Sequence, residues 1–327
     1  MRFLTSRMRV VDQVAFARDG RRLFAAGSNV PDLRYKPDNR GIDVWDLAGG
    51  PNPVSQLFSD QLIAGFAVNP AGRWLYVGTG YDYPDEHTSR YFAVDLASEG
   101  LTSLGLRGGN SFVLGTHPSG EWFVGYGYRT DWQTSRIVRW RHPPAGAPTE
   151  EWEIAPSARR FYTSQIACAP NEELLVTHDI EGGIAVRDQV YELVTRDPGT
   201  GAVHGKIPIP GRTVDQLLFS PDGASLVVRG GPSLLVWDAR DLTRKPQKIR
   251  GAGKGHFTGL AFDPTGRYLA AASNDRSVNV YETATGGLAR SFSWDIGRMR
   301  SVAFSLDGLL MTAGSDVGQI VLWDIDL

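Results

Sequence analysis

The sequence predicts an all-β fold in which one short antiparallel unit is repeated seven times and closed on itself. Three observations predict it. The stretch at 217–238, LLFSPDGASLVVRGGPSLLVWD, alternates three apolar runs with two turns. Pro221-Asp222-Gly223 forms the first turn, where Pro presets a negative φ and Gly can take a positive one. Gly230-Gly231-Pro232 forms the second, and the runs around them carry the β-branched and aromatic bulk of pleated strands. The second observation is recurrence: the same pattern can be laid over the chain seven times. The third is that no helical pattern lies between the copies. A unit of this kind cannot bury both faces alone, so neighbouring sheets stack and the ring closes.

The copies follow in order. The first has Val14-Ala15-Phe16, the turn Arg18-Asp19-Gly20, Leu23-Phe24-Ala25, and ends at Val44-Trp45-Asp46. The second has Phe66-Ala67-Val68, Pro70-Ala71-Gly72 and Ala93-Val94-Asp95. The third has Phe112-Val113-Leu114, Pro118-Ser119-Gly120 and Ile137-Val138-Arg139-Trp140. The fourth is worn, with Ile166-Ala167-Cys168, Pro170-Asn171-Glu172 and a closing strand near Tyr191-Glu192-Leu193-Val194. The fifth is the stretch quoted above. The sixth has Leu260-Ala261-Phe262, Pro264-Thr265-Gly266 and Val278-Asn279-Val280-Tyr281. The seventh has Val302-Ala303-Phe304, Leu306-Asp307-Gly308 and Ile320-Val321-Leu322-Trp323-Asp324. The interval between turn glycines falls from about 50 residues early to about 42 late, near the 40–45 of a four-stranded propeller blade. The expected fold is a seven-bladed β-propeller of four-stranded antiparallel blades, a single domain over residues 1–327.

Phe219-Ser-Pro-Asp-Gly223 and the Trp-Asp pairs at 45–46, 237–238 and 323–324 resemble the Trp-Asp (WD) repeat β-propeller family, with Tyr281-Glu282 as a variant of the dipeptide. The resemblance covers nearly the whole chain. It implies strands a to d running outward from a channel in each blade, with Trp ending strand c. The seventh copy stops after its third strand. Residues 2–7 precede the first copy, and placing them as the outer strand of the last blade closes the ring, as the resemblance implies. The family's hydrogen-bonded set of His, Ser or Thr, Asp and Trp is approached only in the sixth copy, by Ser273 and Asp275. The blades are therefore expected to rest mainly on apolar stacking.

Composition narrows the function classes. Hydrophobic residues make up 42% and charged residues 21% of 327, which describes a globular chain. The net charge of −2 gives no global pull toward nucleic acid. The single cysteine, Cys168, cannot form an internal disulfide and excludes a Cys-based metal site. The N-terminal MRFLTSRMRV has no apolar core of a secretory signal, and no run approaches a membrane span. A cytoplasmic monomer is expected.

No His-x-x-x-His or His-Glu-x-x-His pair occurs among the six histidines. Gly251-Ala-Gly-Lys254-Gly-His256 superficially resembles a phosphate loop but lacks its first glycine and its Ser or Thr. No Gly-x-Ser-x-Gly elbow is present. The aspartates Asp46, Asp95, Asp197, Asp238 and Asp324 each follow a strand c and read as strand-end polar groups. No catalytic residue, cofactor or metal is expected.

The variation sits in the loops. The b–c connections are short in copies five to seven and long in one to four: about 29–40, 80–90, 127–136 and 178–189. The first three carry Tyr35, Tyr83 and Trp132, residue types enriched at binding hot spots. The d–a connections emerge at the same end of the blades. They carry Arg7 and Arg9, Arg107, Arg159 and Arg160, Arg212, Lys254, and Arg298 and Arg300; only the second copy lacks a cation. Long loops in compact folds are usually functional. Two readings stand side by side: the aromatics cover blade edges and the arginines pair internally, or together they bind a partner. On the second, Tyr35, Tyr83 and Trp132 are anchors, and Arg160, Arg212 and Arg300 contact acidic or phosphorylated groups. The expected function is a non-catalytic protein-interaction scaffold or adaptor with protein partners. A propeller enzyme with a channel-mouth site, or a phosphate- or nucleic-acid-binding propeller, is the alternative.

Overall fold

The computed structural model describes residues 1–27, 40–80, 90–98, 100–104, 111–128, 135–143, 146–154, 161–171, 173–182, 189–209, 214–230, 232–251 and 255–325. Among them every regular element is a strand. The chain divides into two compact units, residues 1–63 with 220–327, and residues 64–219.

The first unit begins with β1 (Arg2–Thr5), β2 (Gln13–Phe16), β3 (Arg22–Ala26) and β4 (Arg40–Asp46). The long strand β5 (Ser55–Val68) passes from this unit into the second. The second unit continues through β6 (Trp74–Thr79), β7 (Tyr91–Asp95) and β8 (Leu101–Ser103). It adds β9 (Ser111–Thr116), β10 (Trp122–Tyr128), β11 (Ser135–Arg141) and β12 (Thr149–Ile154). Then come β13 (Phe161–Cys168), β14 (Leu175–Gly182), β15 (Gln189–Arg196), β16 (Val203–Pro208) and β17 (Gln216–Phe219). The first unit resumes with β18 (Ser225–Gly230), β19 (Ser233–Asp238), β20 (Gln247–Arg250), β21 (Phe257–Phe262), β22 (Tyr268–Ser273), β23 (Ser277–Glu282) and β24 (Leu288–Ser293). It ends with β25 (Met299–Phe304), β26 (Leu310–Ser315) and β27 (Gln319–Asp324).

Five sheets have four strands in the orders β9 to β12, β13 to β16, β17 to β20, β21 to β24, and β25-β26-β27-β1; β2 to β8 form a sixth. In that sixth sheet β5 serves as the outer strand of blade one and the inner strand of blade two. The result is seven four-stranded antiparallel blades, each in the order that the seven sequence copies predict. The turn glycines Gly20, Gly72, Gly120, Gly223, Gly266 and Gly308 all have positive φ, between 65° and 85°. At Gly120 a side chain would also strike Asn69 Oδ1, 2.7 Å from the Cβ position.

The N-terminal strand completes the last blade. β1 pairs antiparallel with β27, from Arg2 opposite Leu322 to Thr5 opposite Gln319. Leu4 is fully buried in a cluster with Trp45, Ile320 and Leu322, so the closure is apolar as well as hydrogen-bonded. Trp323 packs in the next cluster, its ring 4.6 Å from Trp294 and 5.4 Å from Phe292. Trp237 is 3% exposed.

Two expectations change. The fourth b–c connection does not begin at His178, because β14 continues to Gly182 and His178 is a buried strand residue. Nor does blade four rest on apolar stacking alone. Its register sets Leu175 opposite Arg196, as Leu23 faces Trp45, Leu226 faces Trp237 and Met311 faces Trp323. Arg196-Asp197 thus occupies the place of Trp-Asp, two residues beyond the run read as the closing strand. The Arg196 guanidinium is buried with the Asp179 carboxylate, Nη2 to Oδ2 2.6 Å. Thr163 Oγ1 donates to Asp179 Oδ1 at 2.8 Å, and Arg196 donates to Thr177 Oγ1 and to the Gly201 carbonyl. A guanidinium inside a blade requires such partners, since an unpaired buried charge costs several kcal/mol.

Candidate functional site

The loop end of blades five, six, seven and one, where the d–a and b–c connections emerge, is held by bonds that run from one blade to the next. Arg229, at the end of β18, donates from Nη1 to the Phe257 carbonyl at 3.1 Å. Thr258 Oγ1 in β21 donates to the Met299 carbonyl at 2.8 Å. Ser301 Oγ in β25 donates to the Val11 carbonyl at 3.0 Å. Arg300 Nε meets Asp12 Oδ1 at 2.7 Å, with the arginine side chain one-third exposed. Each bond reaches from one blade to its neighbour, so the loop bases are fixed relative to one another within this unit.

The cations around this framework differ in how they are used. Arg7 lies over blade one: Asp43 Oδ2 accepts from Ser6 Oγ at 2.7 Å and from the Arg7 amide at 2.8 Å, and the Arg7 guanidinium is 3.9 Å from Oδ1. Asp43 is fully buried; burial pushes its carboxyl above the usual range, against the hydrogen bonds from Ser6 and Arg7. Arg276 pairs with Asp295 at 2.8 Å. Arg298 is exposed, and its backbone amide donates to Asp316 Oδ1 at 2.9 Å, leaving the guanidinium without an ion pair among the described residues.

Of the six residues assigned to partner binding, Arg300 is described, and it sits on β25 in the ion pair with Asp12. Tyr35, Tyr83, Trp132, Arg160 and Arg212 lie outside the described residues, as do Arg107, Arg159 and Lys254. Internal pairing of the arginines is seen for Arg300 and Arg7. The structure supplies Asp12, just before β2, and Asp43, inside β4. Asp12 was findable as the acidic residue next to the first inner strand; Asp43 was not, because it reads as one polar residue in an apolar run.

One further polar pair bears on chemistry. Ser164 bulges from β13 and its Oγ lies 2.5 Å from His178 Nδ1. Burial pushes the His178 imidazole down to about 4, so it is neutral at pH 7. Asp179, next in sequence, is committed to Arg196 and Thr163. Among the described residues His178 Nε2 has no hydrogen-bond partner, whereas a nucleophilic triad orients its base with a carboxylate.

The family model "WD domain, G-beta repeat" matches residues 246–282, which run from β20 through Tyr281-Glu282. The β-propeller domain of Cps50 (Swd1) from Myceliophteria thermophila superimposes with a TM-score of 0.70 over 100% of this chain and 99% of that one, at 15% identity. The chain is a β-propeller, and its sixth blade matches a WD repeat. Among curated relatives, this chain is 27% identical over 180 residues to the guanine nucleotide-binding protein subunit beta of Oryza sativa subsp. japonica, covering 51% of this chain and 46% of that protein. It is 28% identical over 154 residues to pre-mRNA-processing factor 19 of Dictyostelium discoideum, covering 44% of this chain and 29% of that protein. It is 28% identical over 106 residues to COMPASS component SWD3 of Saccharomyces cerevisiae, covering 32% and 33%. The chain spans less than half the length of each of these relatives.

Proposed function

We propose that this WD-repeat propeller is a non-catalytic interaction scaffold or adaptor whose loop end receives a protein partner bearing acidic or phosphorylated groups. The observation that carries the reading is the braced loop end. Arg229, Thr258, Arg300 and Ser301 tie successive blades together, while Arg7 and Arg298 present guanidinium groups to solvent beside them. Loops on a fixed base lose little entropy on binding, so a few anchors suffice for useful affinity. Guanidinium groups select carboxylates and phosphates by charge-assisted, often bidentate hydrogen bonds. The names of the relatives, which include a G-protein subunit and a COMPASS component, support work within assemblies. Tyr35, Tyr83 and Trp132 supply the anchors in this reading, with Arg160, Arg212 and Arg300 as charge contacts. Arg300 divides its positive charge between Asp12 and the partner.

The test starts with affinity capture and mass spectrometry to obtain a partner. Binding is then measured for Trp132→Ala and Arg298→Glu against Arg21→Glu, an exposed change on the turn of blade one at the opposite end. The loop-end variants should weaken binding at least tenfold, and rising salt should weaken it further as the Debye length shrinks below about 8 Å. Loss of binding in Arg21→Glu alone, or affinity indifferent to salt, overturns the proposal.

A further inference from the structure

The outer edge of blade five differs in charge from the other outer strands. β20 is the last strand of its sheet, so one side of its backbone faces away from β19. Its side chains alternate. Ile249 is buried and Gln247 Nε2 donates to the Thr285 carbonyl at 2.7 Å, both turned toward the blade-six turn at Gly286. Lys248 and Arg250 take the opposite face and are exposed, and Lys245 is exposed just before the strand. Arg244 is occupied by Asp241 at 2.9 Å. The side chains of Lys245, Lys248 and Arg250 have no ion pair among the described residues.

On three other blades charged side chains of the outer strand have partners. Arg2 of β1 donates to the carbonyls of Leu47 and Gly49. Glu151 and Glu153 of β12 pair with Arg139 and Arg136. Lys206 of β16 sits between Glu181 and Glu192. Only on blade five does a bare strand edge coincide with a row of cations left to solvent, among the described residues.

A bare strand edge is a template for an added strand. Like charges at alternate positions oppose a second copy of the same edge, and opposite charges favour a strand with acids at the same spacing. Residues two apart on a strand share a face and are separated by about 6.8 Å. We propose that the outer edge of blade five takes an extended acidic peptide as a fifth strand, with carboxylates at alternate positions meeting Lys248 and Arg250 and a further one meeting Lys245. This surface uses none of the loop-end residues and stands apart from the partner site above.

The experiment uses the full chain and a fluorescein-labelled octapeptide of alternating Glu and Thr. A second peptide carries N-methyl groups at every other residue, which keeps the charge and removes the strand-pairing edge. Phosphatidylserine vesicles and single-stranded RNA serve as other polyanions. The octapeptide should bind saturably and slow amide exchange across 247–250. N-methylation should weaken it at least tenfold, and so should the double change Lys248→Glu with Arg250→Glu. Arg298→Glu at the loop end should leave it unchanged, which separates this site from the proposed partner face. Melting of the double variant checks that the exposed changes leave the fold intact. Equal binding of the N-methylated peptide, no effect of the double change, or binding of vesicles or RNA in place of the peptide each overturns the proposal.

Discussion

Replacing Arg196 by Met keeps the length of the side chain and removes the one counter-ion that the buried Asp179 carboxylate has among the described residues. Both groups are nearly enclosed, their side chains 6% and 5% exposed, so solvent does not take over the lost contact. Breaking a buried pair from one side costs about 3–5 kcal/mol. An unfolding entropy of about 2.1 cal/mol/K per residue over this chain turns that into a fall in Tm of roughly 4–7 °C. Asp179→Asn should cost a similar amount: its single side-chain oxygen can accept from Arg196 while the amide nitrogen donates to Thr163 Oγ1, but the guanidinium is left buried without a counter-charge. The double variant Arg196→Met with Asp179→Leu should return to within about 1 kcal/mol of wild type, since apolar groups of similar volume can replace a buried pair. The assay is calorimetric or fluorescence-monitored melting of the four proteins at pH 7, read as a double-mutant cycle. Additive single effects, each under about 1 kcal/mol, would refute the view that this pair replaces the Trp-position contact in blade four.

Trp323→Ala empties the site between Trp294, Phe292 and its own blade, and should cost about 3–5 kcal/mol in denaturant unfolding; near-wild-type stability would show that this indole is not a core contact. Deleting residues 2–7 removes β1 and bares β27 as an edge, so the truncated protein should melt lower and aggregate on light scattering; unchanged behaviour in both would refute closure by this strand. Burial holds His178 and His142 at about 4, below the usual 6.5. Between pH 6.5 and 4 the unfolded chain binds more protons, so stability should fall as pH is lowered through that window, by on the order of 3 kcal/mol for each histidine. His178→Gln cannot titrate and should lose roughly half of that dependence in melts taken from pH 7 to 4, whereas an unaltered slope would place the acid sensitivity elsewhere.

What the sequence determines by itself is the repeat. Most blades are written in local signals: a turn glycine in six of them, an apolar run about three residues later, and in four of them Trp or Tyr before an acid. These act within a few residues of one another, so Gly20, Gly223 or Trp323 can be assigned without any distant partner. Closure by residues 2–7 is also legible, because the seventh copy lacks an outer strand and the first copy has residues to spare. The tertiary structure decides register and charge partnership. In blade four Glu172 stands in place of the turn glycine and β13 bulges at Ser164, so periodicity misses Arg196 as the residue opposite Leu175. Asp179 joins Arg196 across 17 residues, and Arg300 joins Asp12 across 288. Such pairs depend on which strands and blades lie side by side. A charged side chain has no periodicity that marks its partner, whereas an apolar one marks at least the face it buries.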